Sequence, residues 1–279
     1  MRVWLEVKAV LPAVPEDWSA WAYVFEKHDL LGTVQTDDPP TMSAYLAPGQ
    51  EGNLDALKSD LLRFGALDVV TKDVAEEDWA ESWKQFFKPR RVGRNLVVRP
   101  TWEPFEVAPG DLEIVLDPGQ AFGTGDHPTT RGCLALLEDT PVTGREVADI
   151  GCGSGILAVA ACRLGAKSVV AVDSDPVSVE ASVDNANRNG VQFEALVGLG
   201  FDPLPADATY DLVLSNIISA ALIKIAPDAG RRVRPGGQWI VSGIIEANWQ
   251  DVKAAAEKAG FRTDEQILEG DWVSARLIR

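Results

Sequence analysis

From Glu146 to Ala259 the chain alternates strand-length apolar runs with helix-length amphipathic ones, and few folds accept such a pattern. Strands are expected at Val147–Ile150, Ser168–Asp173, Phe193–Val197, Tyr210–Asn216 and Gln238–Gly243. Between and after them come helices at Gly155–Leu164, Pro176–Arg188, Ser219–Arg231 and Asn248–Ala259. Strict alternation of this kind calls for a parallel sheet with helices on both faces. The tail departs from it: Phe261–Leu268 and Asp271–Ile278 are parted only by Glu269-Gly270, so they read as an antiparallel hairpin ending a seven-stranded α/β sheet. Upstream lie a strand at Leu112–Leu116, a Gly-rich stretch from Asp117 to Thr130, and a helix to about Leu137.

The first 74 residues follow a different plan. Val3, Leu5, Val7 and Ala9 alternate with charged or bulky neighbours, as in a half-buried strand, and a helix over Pro15–His28 follows. Short strands at Gly32–Thr36 and Met42–Ala47 flank Asp37-Asp38-Pro39-Pro40. A helix over Gly52–Phe64 and a strand at Leu67–Val74 complete a βαββαβ order, a ferredoxin-like α+β unit. The expected organisation is a small domain at 1–74, a connecting helix within 75–88 carrying Trp79, Trp83, Phe86 and Phe87, and a larger α/β domain at 89–279. The helix would set the distance between two lobes and act as a hinge.

A net charge of −16 disfavours non-specific nucleic-acid binding and permits a basic protein partner, although it also simply aids solubility. The first 74 residues hold six basic and twelve acidic side chains, and their third strand offers only Tyr45 for stacking, so RNA recognition by this part is not expected. Lys84, Lys88, Arg90, Arg91, Arg94 and Arg99 form a basic run without an acid; it suits a phosphate or carboxylate, or else it is a solvated strand edge. Three cysteines, with no CxxC pair, indicate neither a disulfide framework nor a metal site. No signal peptide or long apolar span is evident, so a soluble, cytoplasmic, monomeric protein is expected.

Ligands of open α/β sheets bind beyond the carboxyl ends of the strands. Asp149-Ile150-Gly151-Cys152-Gly153-Ser154-Gly155 is the first strand-to-helix turn there, and Asp173 ends the next strand, where a carboxylate can accept from ribose hydroxyls. The glycines allow close approach of a ligand, or alternatively close strand–helix packing. Asp173 could likewise be only a strand-ending surface acid. Gly153 and Gly155 are two apart, with Ile156 where the dinucleotide fingerprint has its last glycine, which argues against a nicotinamide oxidoreductase. The acid-x-Gly-x-Gly-x-Gly turn resembles that of class I S-adenosylmethionine-dependent methyltransferases, whose donor has no phosphate.

Further motifs sharpen the resemblance. Ala121-Phe122-Gly123-Thr124-Gly125-Asp126-His127-Pro128-Thr129-Thr130, the Asp149–Ile156 turn, and Trp79-x3-Trp83-Lys84-x2-Phe87-x-Pro89 are similar, nearly end to end, to the bacterial ribosomal protein L11 methyltransferases (protein methyltransferase A family). That resemblance implies a Rossmann-like methyltransferase domain and transfer of methyl groups from S-adenosylmethionine, leaving S-adenosylhomocysteine, to lysine and N-terminal amines of ribosomal protein L11. It implies recognition of that protein by the small domain. It also implies cofactor contacts at Thr130, Gly151, Asp173 and Asn216, with Asp149 and Gly153 in the turn and Phe122, Gly123 and Thr124 closing over the methionine end. Asn216 could instead only cap the helix that follows it. The chain departs from the family at Ile217-Ile218-Ser219-Ala220-Ala221, which bears on the substrate pocket.

A sulfonium methyl is already activated, so alignment and a neutral amine suffice, and no indispensable acid or base is expected. His127 could accept a lysine proton but is better read as orienting its loop. Cys152 is a small residue in the turn, and His28 a favourable charge at a helix end. The alternatives are a methyltransferase for a small molecule or another protein, and a catalytically silent protein-binding module.

Overall fold

Val7 and Ala9 turn inward from the first strand while Glu6 and Lys8 do not, and the smaller core is built on that alternation. A computed structural model describes residues 3–15, 18–28, 30, 33–46, 54–75, 88–116, 125 and 127–279. It divides into two compact units, Met1–Phe86 and Phe87–Arg279. The connecting helix expected within 75–88 falls almost wholly outside the described residues.

The first unit runs β1 (Val3–Val10), α1 (Trp18–Glu26), β2 (Val34–Asp37), β3 (Pro40–Leu46), α2 (Leu54–Phe64), β4 (Asp68–Ala75). Its sheet order is β2-β3-β1-β4, with every neighbouring pair antiparallel, the arrangement of a split β-α-β unit. Trp21, Phe25, Leu57 and Leu61 pack on Val7, Ala9, Met42 and Ala44 of the sheet. β2 and β3 close more tightly than their composition suggests: Asp37 pairs with Pro40, so only Asp38 and Pro39 turn. His28, just past α1, meets Asp60 of α2 at 3.1 Å.

The second unit begins with a three-stranded sheet of β5 (Arg90–Val92), β6 (Leu96–Pro100) and β7 (Leu112–Leu116), in which β6 is antiparallel to β5 and parallel to β7. The described part of the basic run, Lys88 to Arg99, lies along this sheet. Arg91 forks onto both oxygens of Asp111 at 2.6 and 2.7 Å, Arg99 meets Glu113 at 2.6 Å, and Lys88 and Arg94 pair with Glu103 and Asp139. Four of its cations thus have acidic partners.

The larger sheet and its helices follow: α3 (Pro128–Glu138), β8 (Glu146–Ile150), α4 (Ile156–Arg163), β9 (Ser168–Asp173), α5 (Pro176–Arg188), β10 (Glu194–Val197), β11 (Tyr210–Asn216), α6 (Ser219–Arg232), β12 (Val233–Ile245), α7 (Trp249–Lys258), β13 (Arg262–Glu269) and β14 (Trp272–Ile278). Their order is β10-β9-β8-β11-β12-β14-β13, parallel except that β14 is antiparallel to both its neighbours. This is the expected seven-stranded α/β sheet with a terminal hairpin. Leu134 and Leu137 of α3 and Ile156 and Val159 of α4 cover one face; Leu222 and Ala226 of α6 and Trp249 and Val252 of α7 cover the other. The reversal of order at β8 and β11 opens a crevice at the carboxyl ends.

Asn189, just past α5, ties that helix to β7 of the smaller sheet. Its Oδ1 accepts from the Val115 amide at 2.8 Å and its Nδ2 donates to the Val115 carbonyl at 2.7 Å. Asn189→Ala removes the partner of both groups, at about 1–3 kcal/mol for two partly buried polar atoms. A lowered denaturation midpoint with an unchanged denaturant slope is the expected result; an unchanged midpoint would show that water replaces the bridge.

Candidate functional site

The turn between β8 and α4 is stitched to β9. Gly151 and Cys152 both donate their amides to the Val172 carbonyl, at 2.8 and 3.1 Å, and Gly155 donates to the Cys152 carbonyl at 2.8 Å. The Gly153 amide donates to Asp173 Oδ2 at 2.8 Å, while Asp173 Oδ1 accepts from the Asp175 amide at 3.0 Å. Four amides of the turn are thereby engaged within the protein, so it is not the open amide cradle that holds a pyrophosphate. The partly exposed Asp173 carboxylate keeps further lone pairs for a ligand.

Two glycines are required for different reasons. Gly151 has φ 80°, and a β-carbon on it would stand 2.2 Å from Ile217 Cγ2, where the chain leaving β11 passes the turn. Gly155 has φ 75° and faces Ser182 of α5, 2.7 Å from the place of its missing β-carbon, so helix packing accounts for it.

Gly155 is also the N-cap of α4 and offers no side chain for capping. Asp149, from the strand beneath, replaces it: Oδ2 accepts from the Ala158 amide at 3.1 Å. The residue is completely buried, and Oδ1 has no hydrogen-bond partner. Burial, with the Asp173 charge adding to it, pushes the Asp149 carboxyl up to about 7.

A cavity of about 700 Å³ opens over the turn. Gly151, Gly153, Asp173 and Asn216 all line it, so four of the expected site residues meet at one place. Asp149 and Thr130 do not line it. Asp149 lies behind the turn; Thr130 is wholly buried, with its Oγ1 3.3 Å from Asn216 Nδ2. Phe122, Gly123 and Thr124 lie outside the described residues. Sequence reasoning missed Leu199 and Phe201 beyond β10, Ile218 and Lys224 at α6, and Trp272 of β14, all of which line the cavity. Gly198-Leu199-Gly200, glycines following a strand end, was the available signal for the first two.

His127 also lines the cavity, as the N-cap of α3. Its Nδ1 accepts from the Thr129 amide at 3.4 Å and stands 2.8 Å from Thr129 Oγ1, and its ring meets Trp272 edge-on at 4.8 Å between centroids. Arg131 of the same helix donates Nε to Glu269 at 3.1 Å, tying α3 to the hairpin that carries Trp272. Burial pushes the thiols of Cys133, Cys152 and Cys162 up, away from thiolate chemistry. Among the described residues there is no cluster that could hold a metal ion, and no helix is long and apolar enough to cross a membrane.

The Asp149 carboxyl ionises near 3.8 when unfolded and near 7 when folded, so between those values the folded state holds the extra proton. Stability is therefore lost as pH rises from about 4 to about 7. In Asp149→Asn, which can still accept from Ala158, this part of the slope should vanish; unfolding midpoints measured across that range check it, and a pH-independent difference from wild type would overturn it.

A family model described as Ribosomal protein L11 methyltransferase (PrmA) matches residues 15–279. A protein of Geobacter metallireducens named ribosomal protein L11 methyltransferase is 47% identical, over 97% of this chain and 96% of that protein. One of the same name from Pelotomaculum thermopropionicum is 43% identical, over 94% of this chain and 84% of that protein. The crystal structure of ribosomal protein L11 methylase from Lactobacillus delbrueckii subsp. bulgaricus matches at 33% identity and a TM-score of 0.65, over 69% of this chain and 99% of that one. With a model spanning nearly the whole sequence and relatives this similar, the chain belongs to the ribosomal protein L11 methyltransferase (PrmA) family.

Proposed function

We propose that the chain binds S-adenosylmethionine in the cavity over the Gly151–Gly155 turn and transfers its methyl group to lysine and N-terminal amines of ribosomal protein L11. The observation that carries this reading is the pairing of Asp173 and Asn216 on either side of a turn whose amides are already engaged. Such a site suits a nucleoside without phosphates. Asn216 Oδ1, buried and without a partner, and the apolar walls at Leu199 and Phe201 fit the rest of that donor.

Asp173 would hold the ribose, with Gly151 and Gly153 giving the donor's backbone-side contact. Phe122, Gly123 and Thr124 would close over the methionine end. The donor supplies a methyl group already activated for transfer, so this chain has to align an amine, exclude water and keep the amine neutral. Free lysine, with a pKa of about 10.4, is neutral in only about one molecule in 2,500 at pH 7, a deficit of roughly 4–5 kcal/mol. Desolvation in the cavity lowers that pKa without a dedicated base. His127, occupied as the cap of α3, serves as an orienting group.

A net charge of −16 favours a basic protein substrate over nucleic acid. The unit at 1–74 would recognise ribosomal protein L11, residues 75–88 would link it to the methyltransferase domain at 89–279, and the protein would act as a monomer in the cytoplasm, where three free cysteines suit a reducing compartment.

Asp173→Ala should weaken the donor's dissociation constant about 10- to 150-fold, the worth of about 1.5–3 kcal/mol for a charged hydrogen bond, as read by calorimetry. His127→Ala should keep transfer within about 10-fold of wild type across pH, since loss of a general base costs on the order of 10²–10⁴. Radiolabelled S-adenosylmethionine with purified ribosomal protein L11, followed by mass spectrometry, tests the activity. Absence of label from that protein, with label on a small molecule or nowhere, would overturn it.

A further inference from the structure

β10 ends at Val197 and β11 begins at Tyr210, and residues 198–209 between them form no helix. The two strands are parallel and have β9 and β8 between them in the sheet. They are therefore about 14–15 Å apart, a span that a helix ordinarily crosses. Here a chain of turns crosses it. The amides of Asp202, Leu204 and Ala208 donate to the carbonyls of Leu199, Phe201 and Pro205 at 3.1, 3.1 and 3.0 Å. Phe201 and Leu204 bury themselves in one cluster with Val170 and Val172, and the cavity opens between this segment and α6.

The lining of that cavity is polarised. His127, Thr129 and Asn216 border it on the side of α3 and β11, whereas Leu199 and Phe201 face it from the segment and Ile225 from α6. The Leu199 side chain is 58% exposed, so it stands into open space without burial of its own. The two walls come close: a β-carbon on Gly200 would stand 3.2 Å from Ile225 Cγ2. A small shift of the segment therefore changes the width of the apolar part.

Arg232, which does not line the cavity, fixes the segment. A cation in the last turn of a helix ordinarily serves that helix's own carbonyls. Arg232, the last residue of α6, instead donates Nη1 to the Pro205 carbonyl at 2.6 Å and reaches the Ala208 carbonyl at 3.5 Å. Its guanidinium carbon lies 5.5 Å from the centroid of the Phe201 ring, within the range of a cation–π contact. One side chain thus holds both the middle of the segment and the aromatic residue beside Gly200.

We propose that Arg232 is a positioning residue for the donor: by clamping residues 201–208 to the end of α6 it holds Leu199 and Phe201 as the wall against which the nucleoside end of S-adenosylmethionine packs. The inference rests on the methyl-transfer reading above. Freed from the clamp, a segment without a helix samples other arrangements, and donor affinity falls by the fraction of chains that keep the wall in place.

The test compares Arg232→Met, which keeps the aliphatic stem and loses the donors, with Arg232→Lys, which keeps a charge and can reach one carbonyl. Calorimetry gives dissociation constants for S-adenosylmethionine, S-adenosylhomocysteine and methylthioadenosine, which has the nucleoside but no amino-acid end. Arg232→Met should weaken all three by about tenfold and by the same factor, with kcat at saturating donor and KM for ribosomal protein L11 within about twofold of wild type. Arg232→Lys should recover part of the loss. In a Leu199→Ala background, where the wall is already cut back, Arg232→Met should cost less than about threefold. Should Arg232→Met not fold, Arg232→Lys with and without Leu199→Ala carries the comparison. A lowered unfolding midpoint with unchanged dissociation constants would make Arg232 a purely structural residue and overturn the proposal. So would a loss confined to the two ligands that carry the amino acid, a fall in kcat without a change in affinity, or an undiminished effect in the Leu199→Ala background. A wild-type chain that binds no S-adenosylmethionine would instead bring down the methyl-transfer reading, and this inference with it.

Discussion

Asp149 reaches from the carboxyl end of β8 to the Ala158 amide and so fixes where α4 begins. Because the helix starts on a glycine, which offers no side chain of its own, the strand beneath has to supply the acceptor. Strand end and helix start are thereby held at a set separation. The five residues from Gly151 to Gly155 must span it, and they do so with positive φ at all three glycines and with amides that close on Val172, Cys152 and Asp173. The arrangement leaves a carboxyl without solvent contact and with one oxygen unmet, a local cost that the neighbouring packing of Leu157, Ala158 and Val159 sustains.

Around this turn the two ends of the sheet do different work. At the amino ends, Glu146 takes Lys167 at 2.7 Å and Arg234 at 2.6 Å, and Arg234 reaches on to Asp211 at 2.8 Å. Those two cations hold the Glu146 carboxyl down to about 2. The network joins β8, β11, β12 and the segment before β9, and all of it lies away from the cavity. At the carboxyl ends, side chains are instead left with unmet capacity: Asn216 Oδ1 has no partner, and Asp173 accepts from two amides while still bordering the cavity.

Much of this was legible because it is periodic or conformationally forced. The strands at Ser168–Asp173 and Tyr210–Asn216 and the helix at Pro176–Arg188 have the bounds that their apolar periods, Pro176 and flanking residues indicate. The turn announced itself through glycines that a positive φ demands. β12 was read too short, at Gln238–Gly243, because its ends are decided by neighbours: Val233 pairs with Tyr210, and Ile245 with Trp272. The three-stranded sheet was only partly legible, since β5 and β6 carry their charges for partners at Asp111 and Glu113, up to 20 residues away. Site residues contributed by a tertiary meeting left the weakest trace. Trp272 reaches the cavity only because the terminal hairpin folds back beside β12, and the roles of Thr129 and Thr130 separate only when α3 is set against β11.

The strand order places β14 inside the sheet, between β12 and β13, while the later part of the chain forms it. Until residues 272–278 are available, β12 is an open edge and β13 has no strand to join. Closure of this sheet thus waits for β14, and a nascent polypeptide halted before Trp272 exposes a strand edge that invites pairing with other molecules. Nonsense and frameshift alleles that remove residues 272–278 would for this reason read out as proteolytic turnover and poor yield of the enzyme, and not as a mild change at its surface.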